Sequence, residues 1–202
     1  MKSLPTSYTA ARKWGIILLL ALASLGAALL SMSFGSTQVP FSEILTALMG
    51  GETQAYNIVV YARLPRTLAA LLCGSALAVG GVIIQGVLGN PLAGPNIIGV
   101  NAGAGLGAVL CAALIPTSMT AVPVAAFLGA LGACMLVYTL ARRTGASRIT
   151  LVLAGVAISS MLSAAIDAVS ILFPEAALGA GSFMVGRLSG VTVAALKVPA
   201  LL

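Results

Sequence analysis

The sequence is dominated by uncharged apolar runs that are long enough to cross a lipid bilayer. A transmembrane helix needs about 20 residues to cross roughly 30 Å of hydrocarbon. Five such runs and the start of a sixth are present, at 14–34, 67–89, 97–115, 119–141, 149–173 and 191–202. They lack the alternating pattern of a membrane β-barrel, and only 7% of the residues are charged, against about a quarter in soluble domains. We therefore predict an all-α, polytopic transmembrane helix bundle with one domain over residues 1–202.

Basic residues predict how the chain is oriented in the membrane. They cluster before the first span and between the fourth and fifth spans, at Lys2, Arg12, Lys13, Arg142, Arg143 and Arg148. Because cytoplasmic loops collect Lys and Arg, we expect the N-terminus and this later loop to be cytoplasmic. Glu43, Glu52 and Glu175 then fall in outer loops. The net charge of +6 reflects this topology, so we expect a lipid bilayer and no nucleic acid as partner.

The basic start of the first span is also compatible with a secretory signal peptide. The apolar segment of a signal peptide is usually about 7–15 residues long. The run from Trp14 to Leu30 is longer than that. We therefore favour an uncleaved first helix.

Residue types that support catalysis, metal binding or nucleotide binding are scarce. The chain has no His, and Cys73, Cys111 and Cys134 lack the spacing of a metal site or of a disulfide framework. No G-x-x-x-x-G-K-[ST] loop is present, and the G-x-G-x-x-A at 103–108 follows no strand. We expect no cofactor, no metal and no catalytic residue. Any ATP hydrolysis that drives this protein has to come from a partner.

Small residues recur at helical spacing in the second and third spans. They are Gly74, Ala78, Gly81 and Gly89 in the second span, and Gly99, Gly103 and Gly107 in the third. Such faces allow close helix packing in lipid. Gln85 lies on the same face as the first set, and a mid-span amide needs partners at a helix interface or in a water-lined cavity. We include Gln85 among the candidate pathway residues.

A polar stripe runs along the fifth span. Gly155, Ser159, Ser163 and Asp167 recur every four residues, so they share one helix face. This pattern suggests a water-lined pathway, and an ionisable residue within a span indicates function. Two alternatives stay open: the serines bond to carbonyls of their own helix, or Asp167 reaches the outer interface.

Two arginines precede the second span on the side that we predict to be outside. Arg63 and Arg66 flank Leu64-Pro65 and violate the preference for basic residues on the cytoplasmic side. Either an acidic partner docks on them from outside, or they extend to lipid phosphates.

Residues 63–104 resemble the FecCD-type permeases, the membrane subunits of ABC importers for iron-siderophore complexes, haem and cobalamin. The motifs occur in the family's order: R-x-P-R at 63–66, G-x-x-L-A-x-x-G-x-x-x-Q at 74–85, N-P-L-A-x-P at 90–95 and G-x-x-x-G-A at 99–104. The resemblance continues at 151–159 and, more weakly, at 183–190. There Phe183 and Arg187 replace the Trp and Ser that are usual in the family.

The resemblance implies a bacterial plasma-membrane subunit of about ten helices that pairs with a second permease copy, identical or paralogous, around a central pathway. Two cytoplasmic ABC ATPase subunits and an extracytoplasmic substrate-binding protein complete such an importer. In relatives, the R-x-P-R arginines meet glutamates of the binding protein, which favours docking for Arg63 and Arg66. Relatives also line the pathway with the fifth helix, which fits the stripe.

The resemblance also explains the helix-breaking segment after the second span. Asn90, Pro91 and Pro95 interrupt the apolar pattern and leave backbone groups without helical partners. Such backbone is tolerated at membrane depth where it is buried in protein or faces a cavity. We expect residues 90–98 to form a cytoplasm-side elbow from which a short third helix starts.

Length is the main departure from the family. The sequence stops at Leu202, inside the sixth span, so we expect the N-terminal part of a longer permease. An alternative is a self-contained small channel or secondary carrier, with Asp167 as the ion-coupling group. An intramembrane enzyme using Ser163 and Asp167 is disfavoured, because no His, Lys or second Asp is matched to them as a base.

Overall fold

A computed structural model describes residues 10–51, 53–116, 118, 121–143 and 147–201. Lys2, Glu52, residue 119 and Leu202, which entered the topology and span predictions, lie outside the described residues. Of the residues that the structure describes, 82% are helical. The helices are α1 (Ala10–Ser33), α2 (Phe41–Leu48), α3 (Leu64–Leu88), α4 (Val100–Leu114), α5 (Ala121–Arg143), α6 (Arg148–Leu172), α7 (Pro174–Met184) and α8 (Val193–Leu201). A π-helix, Ile58–Arg63, leads into α3, and a 3-10 helix, Pro95–Ile98, precedes α4.

Among the residues that the structure describes, four helical segments are long and apolar enough to cross a membrane. They are α1, the continuous segment Ile58–Leu88, α5 and α6. Most of their large apolar side chains are exposed on the protein surface, as expected where lipid replaces water. The prediction of an all-α, multi-pass membrane protein is confirmed.

The third span is shorter than the 19 residues that the apolar run 97–115 suggested. Pro95–Ile98 forms the 3-10 helix, and Gly99 takes a left-handed φ of 75°, so α4 begins only at Val100. Its 15 residues are about 22 Å long, less than the thickness of the hydrocarbon core. Apolarity alone could not locate this start, because the residues on both sides of Gly99 are apolar.

Helix α7 falls in a region where no helix was expected. Its start carries two conventional signals, Pro174 in the first turn and Glu175 beside it. The following helix, α8, begins at Val193, two residues after the expected start of the sixth span.

The contacts divide the chain into two compact units. The first contains residues 1–73 and 188–202. Its core is small and apolar and comprises Met32, Val39, Ile44, Ala47, Ala55 and Val59. Helix α2 contributes Ile44 and Ala47 to this core and leaves Leu45 and Leu48 exposed. One permease domain over the whole chain stays a prediction.

The second unit, residues 74–187, is organised around α4. Helix α4 packs on α5 with backbone against backbone. A Cβ atom on Gly103 would overlap the carbonyl oxygen of Gly129, and one on Gly107 would overlap that of Ala125. Since dispersion falls steeply with distance, this close approach stabilises the helix pair where lipid removes the hydrophobic driving force.

The α4–α5 contact predicts opposite effects of one substitution at two glycines of α5. Gly129→Ala places a methyl group against the Gly103 carbonyl and should lower the unfolding free energy by about 1–3 kcal/mol. Gly132→Ala enters open space and should raise it by up to about 1 kcal/mol through helix propensity. Unfolding of the full chain in detergent, followed by circular dichroism, measures both. Equal effects would contradict the contact.

Candidate functional site

Several backbone amides of the elbow after α3 find hydrogen-bond partners within the turn itself. Gly89 ends α3 with a left-handed φ of 58°, and the Asn90 amide donates to the Gln85 carbonyl at 3.2 Å, which is a Schellman cap. The Asn90 side chain then accepts a hydrogen bond from the Leu92 amide at 2.9 Å. The Ala93 amide donates to the Asn90 carbonyl at 3.1 Å. Such pairing allows the chain to leave the helix within a membrane protein.

The elbow packs against helix α6. A Cβ atom on Gly155 would overlap the Ile97 carbonyl oxygen, and one on Gly99 would lie 3.3 Å from the Ser159 hydroxyl. The guanidinium of Arg148 covers Gly89, where a cation is favourable because α3 ends there. Since residues 148, 155 and 159 share one face of α6, the elbow and this face form one packed surface.

A cleft of 590 Å³ opens next to this surface. Its polar lining comprises Asn96, Asn101, Ser159 and Ser163, and its apolar lining includes Ile166, Phe183 and Met184. The Asn101 side chain donates to the Asn96 side chain. The Ser159 hydroxyl donates to the Gly155 carbonyl at 2.7 Å. Ser163 is exposed, and its hydroxyl makes no hydrogen bond to the described residues, so it is available to water or solute.

The structure separates the five candidate pathway residues. Ser159 and Ser163 line the cleft, whereas Gly155 is buried beneath the 3-10 helix. Asp167 is exposed outside the cleft lining, and Gln85 is half-buried outside it. A pathway role for these residues stays a prediction, and the cleft geometry favours two of the five.

The cleft-lining residues outside α6, which include Asn96, Asn101 and residues 183–186, were not identified from the sequence. Asn96 and Asn101 were visible as two amides five residues apart in an apolar context, a signal for a polar pair. The turn Phe183–Gly186 carried only the weak family resemblance at 183–190, which did not indicate a cleft, because its position depends on α7 packing against α4.

The remaining helix-break and packing candidates lie where the elbow and α4 require them. Asn90 and Pro91 are exposed on the elbow, and Pro95 is the first residue of the 3-10 helix. Gly99 joins that helix to α4, and Gly103 and Gly107 face α5.

The two arginines before α3 have different surroundings. Arg63 is half-buried, and its guanidinium donates to backbone carbonyls of Met32, Ser33 and Thr37. Arg66 is exposed, and its guanidinium makes no hydrogen bond to the described residues. Both line a crevice of 250 Å³ at the end of α1. Docking of a partner on them stays a prediction.

The described residues contain no group of three or more His, Cys, Asp or Glu side chains that could hold a metal ion. The three thiols are free: Cys73 is exposed, Cys134 is half-buried and Cys111 is buried. The polar groups of the cleft are amides and hydroxyls, which form weaker hydrogen bonds with a solute than charged groups do.

Comparison with known proteins gives consistent matches along most of the chain. The Fe(3+) dicitrate transport system permease protein FecD of Escherichia coli (strain K12) is 37% identical over 179 residues, 88% of this chain and 55% of that protein. The ferric enterobactin transport system permease protein FepD of the same organism is 40% identical over 165 residues, 80% of this chain and 48% of that protein. The chain thus spans about half the length of these relatives.

A solved structure supports the same relationship. The chain is similar to a metal-chelate type ABC transporter in an inward-facing conformation, with a TM-score of 0.64 at 26% identity. The match covers 83% of this chain and 50% of that one. The model of the FecCD transport family matches residues 18–202, and this protein therefore belongs to the FecCD transport family.

Proposed function

We propose that this chain belongs to the transmembrane subunit of an ATP-driven importer for ferric siderophores or a related metal chelate. The family match over residues 18–202 is the observation that carries the proposal. Relatives named as permeases for ferric dicitrate and ferric enterobactin support an iron chelate as substrate. The subunit resides in the bacterial plasma membrane with its N-terminus in the cytoplasm.

The subunit conducts substrate and takes its energy from partners. It pairs with a second permease copy, identical or paralogous, and two cytoplasmic ABC ATPases hydrolyse ATP. The absence of a phosphate-binding G-x-x-x-x-G-K-[ST] loop from the sequence supports this division of labour. An extracytoplasmic substrate-binding protein delivers the chelate and docks at the crevice beside Arg66.

The cleft beside α6 is the part of the pathway that this chain contributes. Its amides and hydroxyls offer hydrogen bonds without a fixed charge, and Ile166 and Phe183 add apolar surface. A pathway that binds its solute weakly releases it readily. Since the elbow packs on the same helix, a movement of α6 that opens the cleft also moves the elbow.

A secondary carrier that couples ions through Asp167 is the competing proposal. Such a site normally lies near the middle of the membrane and faces the substrate. Asp167 is instead exposed, outside the cleft lining and in the second half of α6. This position supports the importer over the carrier.

The source of energy separates the two proposals. In proteoliposomes that contain the full-length permease, the ATPases and the binding protein, we expect uptake of ferric chelate to require ATP. Asp167→Asn should leave this uptake unchanged, since the carboxylate does not line the cleft. Uptake driven by an ion gradient without ATP, and abolished by Asp167→Asn, would overturn the importer proposal.

Cysteine accessibility tests the cleft as a water-filled pathway. In a full-length permease without native cysteines, Ser163→Cys should react rapidly with a water-soluble thiol reagent in membranes, because thiolate formation needs water. Ser159→Cys should react more slowly, since residue 159 is half-buried against Gly99. Ala157→Cys is the control. Residue 157 is exposed outside the cleft lining on a membrane-spanning helix, so its thiol should face lipid and should not react. Equal labelling at all three positions would contradict a pathway here.

A further inference from the structure

Helix α2 carries more apolar surface than its own unit covers. Its buried side chains are Ile44 and Ala47, which pack in the small core between the end of α1 and the start of the second span. The other apolar side chains of α2 and of its C-cap stay exposed: Phe41, Leu45, Leu48 and Met49. We name these four residues the α2 patch. The first three are 52%, 47% and 45% exposed, and they share one helix face because they recur at steps of four and three residues.

The polar side chains of α2 lie on a third face. Ser42 and Thr46 are both exposed there, and the Thr46 hydroxyl donates to the Ser42 carbonyl at 2.9 Å. With about 3.6 residues per turn, the buried face, the α2 patch and the polar face follow one another around the helix, each about 100° or more from the next. A helix on a water-exposed surface has one apolar face and one polar face. The additional apolar face of α2 is expected where protein, hydrocarbon and water meet.

Helix α1 indicates the level of α2 in the membrane. Trp14 is exposed near the start of α1, and Met32 is buried near its end, in the core that α2 joins. The helix rises about 27 Å between these two residues, close to the roughly 30 Å of a hydrocarbon core. Trp side chains are enriched at the membrane–water interface. With Trp14 at one interface, Met32 and α2 therefore lie at the opposite one.

A tyrosine pair marks the same level on the second span. The rings of Tyr56 and Tyr61 meet edge to face, with their centroids 6.2 Å apart. Tyr56 packs against the core that contains Ile44, and Tyr61 is exposed. Tyrosine, like tryptophan, favours the interface. The segment Ile58–Leu88 has 31 residues, so its first turns can lie in the interface while the remainder still crosses the hydrocarbon.

We infer that α2 is an interfacial helix and that the α2 patch binds the lipid surface, at the boundary between headgroups and acyl chains. Apolar side chains at this level meet lipid, whereas the polar face of α2 meets water. The α2 patch contains no charged side chain, so apolar area and not headgroup charge provides the attraction. A cytoplasmic N-terminus places this contact in the outer leaflet. The inference goes beyond the proposed function and does not depend on what the permease carries.

Fluorescence quenching tests the contact in the full-length permease without native cysteines, in phosphatidylcholine nanodiscs. Leu45→Cys and Leu48→Cys each carry an environment-sensitive fluorophore, and Ser42→Cys on the polar face of the same helix is the matched control. A lipid nitroxide near the headgroup end of the acyl chain should quench both patch probes at least about twofold more than the control, because the apolar face of an interfacial helix enters the lipid by about 5–10 Å. Iodide in the water should quench the control more than the patch probes.

Three outcomes would overturn the inference. Equal quenching of patch and control probes means that the α2 patch faces water. Patch probes that neither quencher reaches are covered by protein, either the rest of the permease or a second copy. Stronger quenching by a nitroxide near the methyl end of the acyl chain places α2 deep in the bilayer. Each patch variant is informative alone, since both replace an exposed side chain and leave Ile44 and Ala47 in the core.

Discussion

Lipid offers no hydrogen-bond partners, and this constraint explains how the chain is arranged between α3 and α4. The backbone leaves the helix at Gly89 and returns to it at Val100. Local turns and a Schellman cap pair several amides of the elbow. Gly155 has no side chain, so the Ile97 carbonyl lies directly against α6. The later part of the elbow therefore packs on α6, while Asn90 and Pro91 at its start stay exposed.

Glycines make two kinds of close contact in the unit formed by residues 74–187, one between α4 and α5 and one between the elbow and α6. Gly103, Gly107 and Gly129 bring the backbones of α4 and α5 together. Gly99 and Gly155 instead attach the elbow to α6. Because α6 also supplies Ser159 and Ser163 to the cleft, one helix carries both the elbow and the polar lining. The two contacts make α6 the structural link between the elbow and the pathway that we propose.

The sequence predicted much of the fold and less of the candidate site. Apolar runs located the long helices, because a bilayer imposes both length and composition on them. The four-residue stripe on α6 did not distinguish Gly155, which packs under the elbow, from Ser163, which faces the cleft. A four-residue stripe shows only that the residues share one helix face. The neighbouring segments, which the tertiary structure positions, determine which of these residues are buried by protein and which line the cleft. Helix α7 was not predicted, because its 11 residues are too few to be recognised as a membrane span.

Composition and motifs by themselves indicated the class of this protein, an all-helical membrane protein of the FecCD family. These properties follow from residue type and local spacing, which the sequence carries directly. Tertiary structure alone decided that Arg63 is bonded to the end of α1 while Arg66 stays open. Two arginines three residues apart are chemically identical, and only the carbonyl groups brought near one of them by folding make them different.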